Sequence, residues 1–328
     1  GYRICISDSG DRIAVSAFSN SNGWDSGMVQ IYQWNGLSWQ QLGENLVGNA
    51  GDLFGHALAT SANVDVVVAG AYYGGYVQAF KWNGAVWEDY GRRITAESAG
   101  DGTGILESLS LSHDGSVLAV GSQYADDGGS NSGKVRLFNW TGNDWSQLGA
   151  NLVGFVAGAK LSRPVLSADG NIVAVGAVRE SAGTVRVYRW DGVAWRQLGN
   201  TLEGDAGGDQ FGYSVAMSDD GYSLLIGAFD NDSGGGGSGQ AKLFRLVGDY
   251  WEQLGSTLNG TVALEHLGVN VDVSSDASRF VVSGSYQGHN SQPGVARVYD
   301  VTATESSVSV ASDVVSIEVR GVNDPPVL

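Results

Sequence analysis

Two acidic, glycine-rich loops hold the residues whose types could do chemistry in this sequence. They read Asp126-Asp127-Gly128-Gly129 and Asp230-Asn231-Asp232-Ser233-Gly234. Carboxylate and amide oxygens, on a chain that glycine lets wind tightly, are the ligands that Ca²⁺ prefers. We therefore predict calcium at these loops, with solvated turns as the plainer alternative. The predicted ligands are Asp126, Asp127, Asp230 and Asp232.

A further aspartate recurs just before three of the repeat units described below. It follows a glycine each time, at Asp52, Asp101 and Asp209. Recurrence at one position of a repeat favours a side chain that stabilises a turn, since aspartate readily hydrogen-bonds nearby backbone groups. Metal binding is the second interpretation of these three residues.

Motifs for covalent or zinc-dependent catalysis are missing from the sequence. The single cysteine, Cys5, cannot build a Cys/His zinc site, and no Gly-x-Ser-x-Gly elbow occurs. No two histidines stand at zinc-ligand spacing, although His56 and His266, at repeat junctions, could form a remote metal pair. We therefore expect a protein that is not an enzyme and whose only cofactor is Ca²⁺. The four histidines are His56, His113, His266 and His289.

Three Asn-x-Ser/Thr sequons begin at Asn139, Asn231 and Asn259. They predict N-linked glycosylation and agree with an extracellular or cell-surface setting. Asn231 also lies in the second acidic loop, where a glycan and a calcium ion would compete.

The composition excludes several classes of protein. With 35 acidic and 18 basic residues, a net charge of −17 repels phosphate backbones, so nucleic acid is not an expected partner. No apolar run approaches the roughly 18 residues of a membrane span, and no signal peptide is recognised at the start of the sequence. A hydrophobic content of 42%, with 10 Trp, is enough for a packed core and excludes a disordered chain.

The sequence repeats with a period of about 54 residues, which is typical of a propeller, a solenoid or an array. Each unit contains four short strand-like runs in the same order. In four units a Ser-x-Asp-Gly or Ser-Asp-Ser-Gly turn follows the first run, whereas Asn63-Val64 and Asp276-Ala277 stand there in the second and sixth. The second run is apolar throughout, the third alternates, and the fourth carries Trp followed by Gln-Leu-Gly, except in the second unit, which reads Asp89-Tyr90-Gly91 after its Trp, and in the sixth, which lacks both. The units begin at Gly1, Gly55, Gly104, Gly158, Gly212 and Gly268.

An apolar run with no polar face must be covered on both sides, which repeated four-stranded sheets around a common axis achieve. We therefore predict an all-β fold with almost no helix: a β-propeller of six four-stranded antiparallel blades, with seven as the alternative. Residues 1–302 would form the propeller, and 303–328 a closing strand and a linker to a following extracellular domain. The outer strand of the sixth blade would come from 306–310, from 314–319 or from residues preceding position 1.

Two recurrent side-chain types have structural interpretations. The tryptophans of the third and fourth runs are expected to pack between blades, with stacking on sugar rings as the alternative. Basic residues on the third run are expected to pair with carboxylates of adjacent blades or to lie on the more solvent-exposed face of the sheet. These basic residues are Arg136, Arg186, Lys242 and Arg297.

The unit resembles the FG-GAP type of propeller repeat found in integrin alpha chains and secreted adhesion proteins. Phe54-Gly55 and Phe211-Gly212 match its Phe-Gly, and Gly70-Ala71, Gly176-Ala177 and Gly227-Ala228 match its Gly-Ala. The resemblance covers residues 1 to about 302 and implies a propeller fold. Integrin-like repeats carry an Asp-x-Asp-x-Asp-Gly calcium loop between their first two strands. This chain has only Ser-x-Asp-Gly there, so calcium at those turns is not carried over.

The end of the sequence, Val322-Asn323-Asp324-Pro325-Pro326, resembles the junction between tandem cadherin-like domains. The resemblance implies that Asn323 and Asp324 help to bind interdomain calcium. A proline-stiffened linker is the alternative.

These features predict a noncatalytic extracellular structural or adhesive module that presents loops for protein–protein association or self-assembly. Its partners would be other extracellular proteins, copies of itself, or glycans. A calcium-assisted glycan-binding lectin propeller is the alternative function. A propeller enzyme with a site in a central channel is the third hypothesis.

Overall fold

The computed structural model describes residues 2–18, 25–285, 294–304 and 307–311, and it describes side chains as far as residue 301. The described residues form strands and turns and contain no helix. His289, Asn323 and Asp324, which the sequence analysis singled out, lie outside the described residues.

The chain is a six-bladed β-propeller of antiparallel four-stranded blades, as predicted. In blades 1 to 4 the outer strand is split into two segments. The strands of blades 1 to 3 are β1 (Ile4–Ile6), β2 (Arg12–Ala17), β3 (Met28–Trp34), β4 (Trp39–Gln41), β5 (Leu46–Val47), β6 (Phe54–Thr60), β7 (Val66–Ala71), β8 (Tyr76–Trp82), β9 (Trp87–Asp89), β10 (Ile94–Thr95), β11 (Leu109–Leu111), β12 (Val117–Ser122), β13 (Lys134–Trp140), β14 (Trp145–Gln147) and β15 (Leu152–Val153).

Blade 4 follows the same plan, and blades 5 and 6 have one continuous outer strand each. In blade 6 this strand lies at the first of the two segments predicted for it. The strands of blades 4 to 6 are β16 (Leu161–Leu166), β17 (Ile172–Ala177), β18 (Thr184–Trp190), β19 (Trp195–Gln197), β20 (Leu202–Glu203), β21 (Ser214–Met217), β22 (Ser223–Ala228), β23 (Gln240–Val247), β24 (Tyr250–Asn259), β25 (Asn270–Val273), β26 (Arg279–Gly284), β27 (Val295–Thr304) and β28 (Ser307–Ala311).

The chain divides into two compact units. Unit 1 comprises Gly1–Glu180 and Val187–Gln197, and unit 2 comprises Ser181–Arg186 and Leu198–Leu328. Blades 1 to 3 lie in unit 1, and blades 5 and 6 lie in unit 2. Each unit is described separately below.

The second strand of each blade forms the core, because its side chains are apolar on both faces. In β7 and β22 every residue is buried. In unit 1 one hydrophobic cluster joins Val68 of blade 2 to Leu118 of blade 3. In unit 2 another joins Leu225 of blade 5 to Val282 of blade 6. Neighbouring blades within a unit therefore cover each other's apolar strands, as the sequence predicts.

The Ser-x-Asp-Gly turn closes the first hairpin of a blade through its own side chains. In blade 3, Ser112 Oγ donates to Asp114 Oδ1 at 2.7 Å and accepts the Val117 backbone N–H at 2.9 Å. The second and sixth blades lack the Asp-Gly pair but keep the turn, and the residue in place of the glycine has φ of +55° at Val64 and +56° at Ala277. L-residues rarely adopt this conformation, so these two turns form at a cost that Gly avoids.

The second tryptophan of a blade packs against the Leu-Gly segment of the preceding blade. In unit 1, Trp195 Nε1 donates to the Leu148 carbonyl at 2.9 Å. A Cβ at Gly149 would lie 2.8 Å from Cζ3 of Trp190, the first tryptophan of the same blade as Trp195. Glycine at position 149 therefore lets the Trp190 ring approach this closely. The same contact recurs in unit 2. The predicted packing between blades is therefore confirmed for the second tryptophan of blades 2 to 5.

The first blade provides a natural comparison for this contact. Trp145 of blade 3 is 3% exposed and donates from Nε1 to the Tyr90 carbonyl at 2.9 Å, whereas its counterpart Trp39 of blade 1 is 40% exposed. Trp145 is therefore bound into the interface between blades, and Trp39 is half open to solvent.

We predict that Trp145→Phe lowers the free energy of unfolding by about 1–3 kcal/mol, because the Tyr90 carbonyl loses its donor inside a buried contact. Urea unfolding followed by tryptophan fluorescence measures the change. Trp39→Phe is the matched control and should change stability by less than about 0.5 kcal/mol. Equal losses in the two variants would contradict the proposed role of the contact.

Candidate active site

Two arginines and a glutamate from three different blades converge in unit 1. Glu107 precedes β11, Arg3 precedes β1, and Arg163 lies within β16. Arg3 Nη2 lies 3.3 Å from Glu107 Oε1, and Arg163 forms an ion pair with Glu107 Oε2. The side chain of Arg163 is 12% exposed and that of Glu107 is 25% exposed, so the cluster is largely but not fully buried.

The backbone around this cluster is locally strained. Glu107 has φ of +53° and Arg163 has φ of +54°, in the left-handed region that residues other than glycine seldom occupy. The pairing of β16 with its neighbour also shifts register between Ser162 and Pro164. Such strain is concentrated at functional sites in proteins, where it aims a side chain in a required direction.

His56, on β6 of blade 2, lies beside this cluster. Its ring packs among aromatic rings, with centroid distances of 5.4 Å to Tyr2, 5.4 Å to Phe18 and 5.2 Å to Tyr72. Burial, and then the charge of Arg3, lower the pKa of His56 below its ordinary value of 6.5. The imidazole is therefore neutral near pH 7. Its Nδ1 is buried and has no hydrogen-bond partner among the described residues.

The four residues meet because first strands of neighbouring blades lie side by side. Within unit 1, β6 contacts both β1 and β11, and β11 contacts β16. The arrangement sets a neutral base near the Arg3 guanidinium, which shares Glu107 with Arg163, and a guanidinium can stabilise a developing negative charge. It has the components needed to activate water against a carbonyl group.

A second polar region of unit 1 is a cavity of about 550 Å³ between the loop that enters blade 3 and the loop that precedes β13. Lys134, 3% exposed, lies at its wall. The ammonium lies 2.9 Å from Asp127 Oδ2 and 3.6 Å from Asp101 Oδ2, and it also contacts Glu97. Burial lowers the pKa of Lys134, but the hydrogen bonds and charges of Glu97 and Asp127 outweigh burial and raise the pKa above its ordinary value. Lys134 therefore stays charged and ties these loops together.

Three of the four basic residues of the third strands pair with carboxylates of the connection that precedes their blade, which agrees with the predicted pairing to adjacent blades. Arg136 Nη1 lies 3.9 Å from Glu97 Oε1 in unit 1, and Lys242 Nζ lies 2.6 Å from Asp205 Oδ1 in unit 2. Arg297 pairs in the same way with a fully buried glutamate. These residues hold the connections in place within each unit.

Two of the predicted calcium ligands accept hydrogen bonds from their own loops, and the other two pair with side chains outside those loops. Asp126 accepts the Asn131 N–H at 2.8 Å, and Asp232 accepts the Gly237 N–H at 2.8 Å. Asp127 pairs with Lys134, as above, and Asp230 accepts from a glutamine. No three His, Cys, Asp or Glu side chains converge as a metal site within the described ranges. Calcium binding at these loops stays a prediction.

The recurrent aspartates act as turn stabilisers, which confirms the first interpretation. In each case the carboxylate accepts the backbone N–H three residues earlier. The bonds are 2.9 Å for Asp52, 3.1 Å for Asp101 and 2.9 Å for Asp209.

The three sequon asparagines lie in different environments. Asn139 is on β13 and Asn259 ends β24. Asn231 is 2% exposed, and its Nδ2 donates to Asp209 Oδ2 at 2.7 Å, so its amide is engaged inside the fold. Glycosylation at these positions stays a prediction.

No sequence pattern points to Arg3, Glu107 and Arg163. They belong to no motif, they lie at different offsets from the start of their repeat units, and 160 residues separate the first from the last. The one feature of the sequence that could have indicated them is a charged residue near the start of a first strand, where the repeat otherwise has apolar or small residues. Two of them also require an unusual backbone conformation, which only coordinates reveal.

The comparisons with known proteins agree on the class of architecture, a β-propeller. Residues 201–244 match the family model of the FG-GAP repeat, which supports the resemblance found in the sequence. No curated protein sequence matches the chain. Among the described residues, no helix has the length and apolar character needed to cross a membrane.

Solved structures with a similar fold include two proteins described as putative 6-phosphogluconolactonases. The one from Bacteroides uniformis has a TM-score of 0.67 at 13% identity, over 96% of this chain and 84% of its own. The one from Bacteroides fragilis has a TM-score of 0.64 at 12% identity, over 96% and 83%. The periplasmic gluconolactonase of Pseudomonas aeruginosa has a TM-score of 0.61 at 15% identity, over 96% and 85%. At these identities the likeness shows a shared fold.

These structures correct the expectation of a noncatalytic structural or adhesive module, together with its lectin alternative. That expectation was wrong because it relied on missing sequence motifs. Two of the similar structures are described as putative lactonases and one as a gluconolactonase, so a propeller of this form houses catalysis in other proteins. A propeller site is assembled from separate blades, and its residues need not form a motif in the sequence.

We predict that Lys134→Met lowers the free energy of unfolding by about 3 kcal/mol. The variant removes the buried ammonium that pairs with the carboxylates of Glu97, Asp101 and Asp127, so these three negative charges then repel one another. Urea unfolding at pH 7 measures the loss. Lys81→Met, on the exposed end of the third strand of blade 2, is the control and should cost less than about 1 kcal/mol. A Lys134→Met variant as stable as this control would contradict the proposed role of Lys134.

Proposed function

We propose that this chain is a propeller hydrolase that opens lactones of sugar acids, with its site at Arg3, His56, Glu107 and Arg163. The observation that carries the proposal is the convergence of Arg3 and Arg163 on the one glutamate, with His56 close enough to Arg3 to feel its charge. The fold likeness to proteins described as gluconolactonases supports the choice of lactone as the substrate class.

The proposed reaction begins with water bound beside His56. As the water oxygen attacks the lactone carbonyl carbon, its proton passes to the neutral imidazole, and the carbonyl oxygen becomes an oxyanion. Collapse of this tetrahedral intermediate breaks the bond between the carbonyl carbon and the ring oxygen. The departing alkoxide takes the proton back from the imidazolium, so that the product is a hydroxy acid and the site returns to its starting state.

The two arginines would stabilise the oxyanion. A guanidinium carries five N–H donors in a fixed plane, so an arginine that holds Glu107 can also bind a substrate oxygen. Glu107 would act as a positioning residue that fixes both guanidinium planes. Donors that are already oriented when negative charge develops are worth about 2.7–4 kcal/mol each in transition-state stabilisation.

We further propose that the protein works outside the cytoplasm, at an extracellular, cell-surface or periplasmic location. The support is the FG-GAP repeat match, the three sequons and the fold likeness to a periplasmic gluconolactonase. The predicted partners and the cadherin-like junction stay predictions.

We predict that the protein hydrolyses glucono-1,5-lactone and that His56→Gln lowers kcat about 100-fold or more, because the variant loses the base that accepts the proton of water. Hydrolysis is followed as acid release in a weakly buffered indicator assay, with the spontaneous rate subtracted. His113→Gln, on a partly exposed turn histidine outside the cluster, is the control and should keep kcat within twofold. Absence of turnover above the spontaneous rate, or equal rates in both variants, would overturn the proposal.

A pH profile provides an independent prediction for the same residue. A general base works in its neutral form, and the pKa of His56 is lowered by burial and Arg3. We therefore expect kcat/KM to stay on its plateau as pH falls through 6.5 and to decrease only at lower pH. A midpoint at or above 6.5 would argue against His56 as the base.

A further inference from the structure

The loop before the third strand has the same backbone course in blades 3 and 5. The Asn131 carbonyl accepts the Lys160 N–H at 3.1 Å in blade 3, and the Gly237 carbonyl accepts the His266 N–H at 3.0 Å in blade 5. Lys160 has φ of +55° and His266 has φ of +51°. The two loops are therefore structural counterparts, and differences between their side chains mark what is particular to each.

In blade 3 these positions form a packed contact. Lys160 Nζ lies 5.1 Å from the centroid of the Tyr124 ring, a cation–π arrangement. Asn131, whose backbone carbonyl accepts the Lys160 N–H, has φ of +52°.

In blade 5 the same positions carry different chemistry. Tyr124 is replaced by Asp230, Lys160 by His266 and Asn131 by Gly237. A Cβ placed on Gly237 would lie 3.3 Å from His266 Cε1 and 3.5 Å from Asp230 Oδ1. The glycine therefore leaves a gap about one carbon atom wide between the imidazole, the carboxylate and Leu264 Cδ2, which lies 3.5 Å from the same Cβ.

His266 is buried without a partner. It is 7% exposed, its ring stacks beside Phe229 at 5.5 Å, and neither Nδ1 nor Nε2 has a hydrogen-bond partner among the described residues. Asp230 Oδ2 accepts from Gln210 Nε2 at 3.2 Å, which orients the carboxylate. A buried imidazole with both nitrogens unpartnered costs free energy and calls for a group that the polypeptide does not supply.

We propose that Asp230 and His266 bind a divalent transition-metal ion of the Zn²⁺ type in the space beside Gly237. An imidazole nitrogen combined with a carboxylate oxygen suits Zn²⁺, Ni²⁺ or Cu²⁺ and does not suit Ca²⁺, which takes oxygen ligands only. The two side chains would supply two of the four ligands that such an ion usually takes. The site lies wholly in unit 2 and is independent of the proposed hydrolase site in unit 1.

The test is isothermal titration of the untagged, chelator-treated chain with ZnCl₂. We expect saturable binding of one ion, weakened at least tenfold in His266→Asn and in Asp230→Asn. Asparagine tolerates the left-handed backbone of His266, so this variant keeps the loop conformation. Thermal unfolding identifies any variant that fails to fold.

Gly237→Asn provides the sharper variant. It introduces the residue that blade 3 has at this position, Asn131, and both positions have positive φ. It should fold and yet lose zinc affinity, since its side chain enters the proposed site. Lys160→Asn in blade 3 is the matched control and should leave zinc affinity unchanged. The ring protons of His266 should shift in NMR spectra as zinc is added.

Absence of zinc binding by the unmodified chain would overturn the proposal. Undiminished binding in His266→Asn and Gly237→Asn, both folded, would overturn it as well. Neither outcome bears on lactone hydrolysis, which is measured without added metal and through variants of other residues.

Discussion

The structure depends on the need to cover strands that have no polar face. The second strand of each blade is apolar on both sides, and a single sheet can bury only one side of it. Neighbouring blades supply the other side, as the clusters that join blades 2 and 3 in unit 1 and blades 5 and 6 in unit 2 demonstrate. Roughly 25 cal/mol for each Å² of apolar surface removed from water makes this covering the dominant stabilising contribution. Directional contacts, such as tryptophan on glycine, then fix how one blade lies on the next.

The candidate active site follows from the same packing. Once neighbouring blades lie face to face, the ends of their first strands come close together, whatever their separation along the chain. Arg3, His56, Glu107 and Arg163 meet for this reason, and the strained backbone at two of them indicates that their directions are set against local preference. The surrounding aromatic rings keep His56 from charging near neutral pH, and they make it a base beside a cationic pair.

The loops of blades 3 and 5 show how one backbone course can carry different chemistry. Their turns are closed by equivalent aspartates, Asp126 and Asp232, which accept N–H groups of their own loops. One aspartate of each loop therefore has a role in turn geometry. The positions that differ between the two loops are more informative than those that recur, because the shared positions form the turn and the differing positions face the space beside it.

The sequence by itself determined the repeat, the four strands in each unit, the six blades and the turn chemistry of the Ser-x-Asp-Gly hairpins. These features are local or periodic: an apolar run, an Asp-Gly pair or a tryptophan at a fixed offset has the same physical preference wherever it occurs. The same reasoning favoured Asp52, Asp101 and Asp209 as turn stabilisers and expected the third-strand basic residues to pair with carboxylates of adjacent blades or to lie on the more solvated face of the sheet.

Only the tertiary structure decided which side chains meet across blades. Glu107 and its two arginines have no shared spacing, and the left-handed backbone that aims Glu107 and Arg163 leaves no clear mark in residue type. The isolation of His266 is equally invisible in the sequence, because a missing hydrogen-bond partner is a property of the surroundings. Non-local contacts of this kind depend on how sheets pack against one another, and the repeat pattern carries no information about which polar groups that packing brings together.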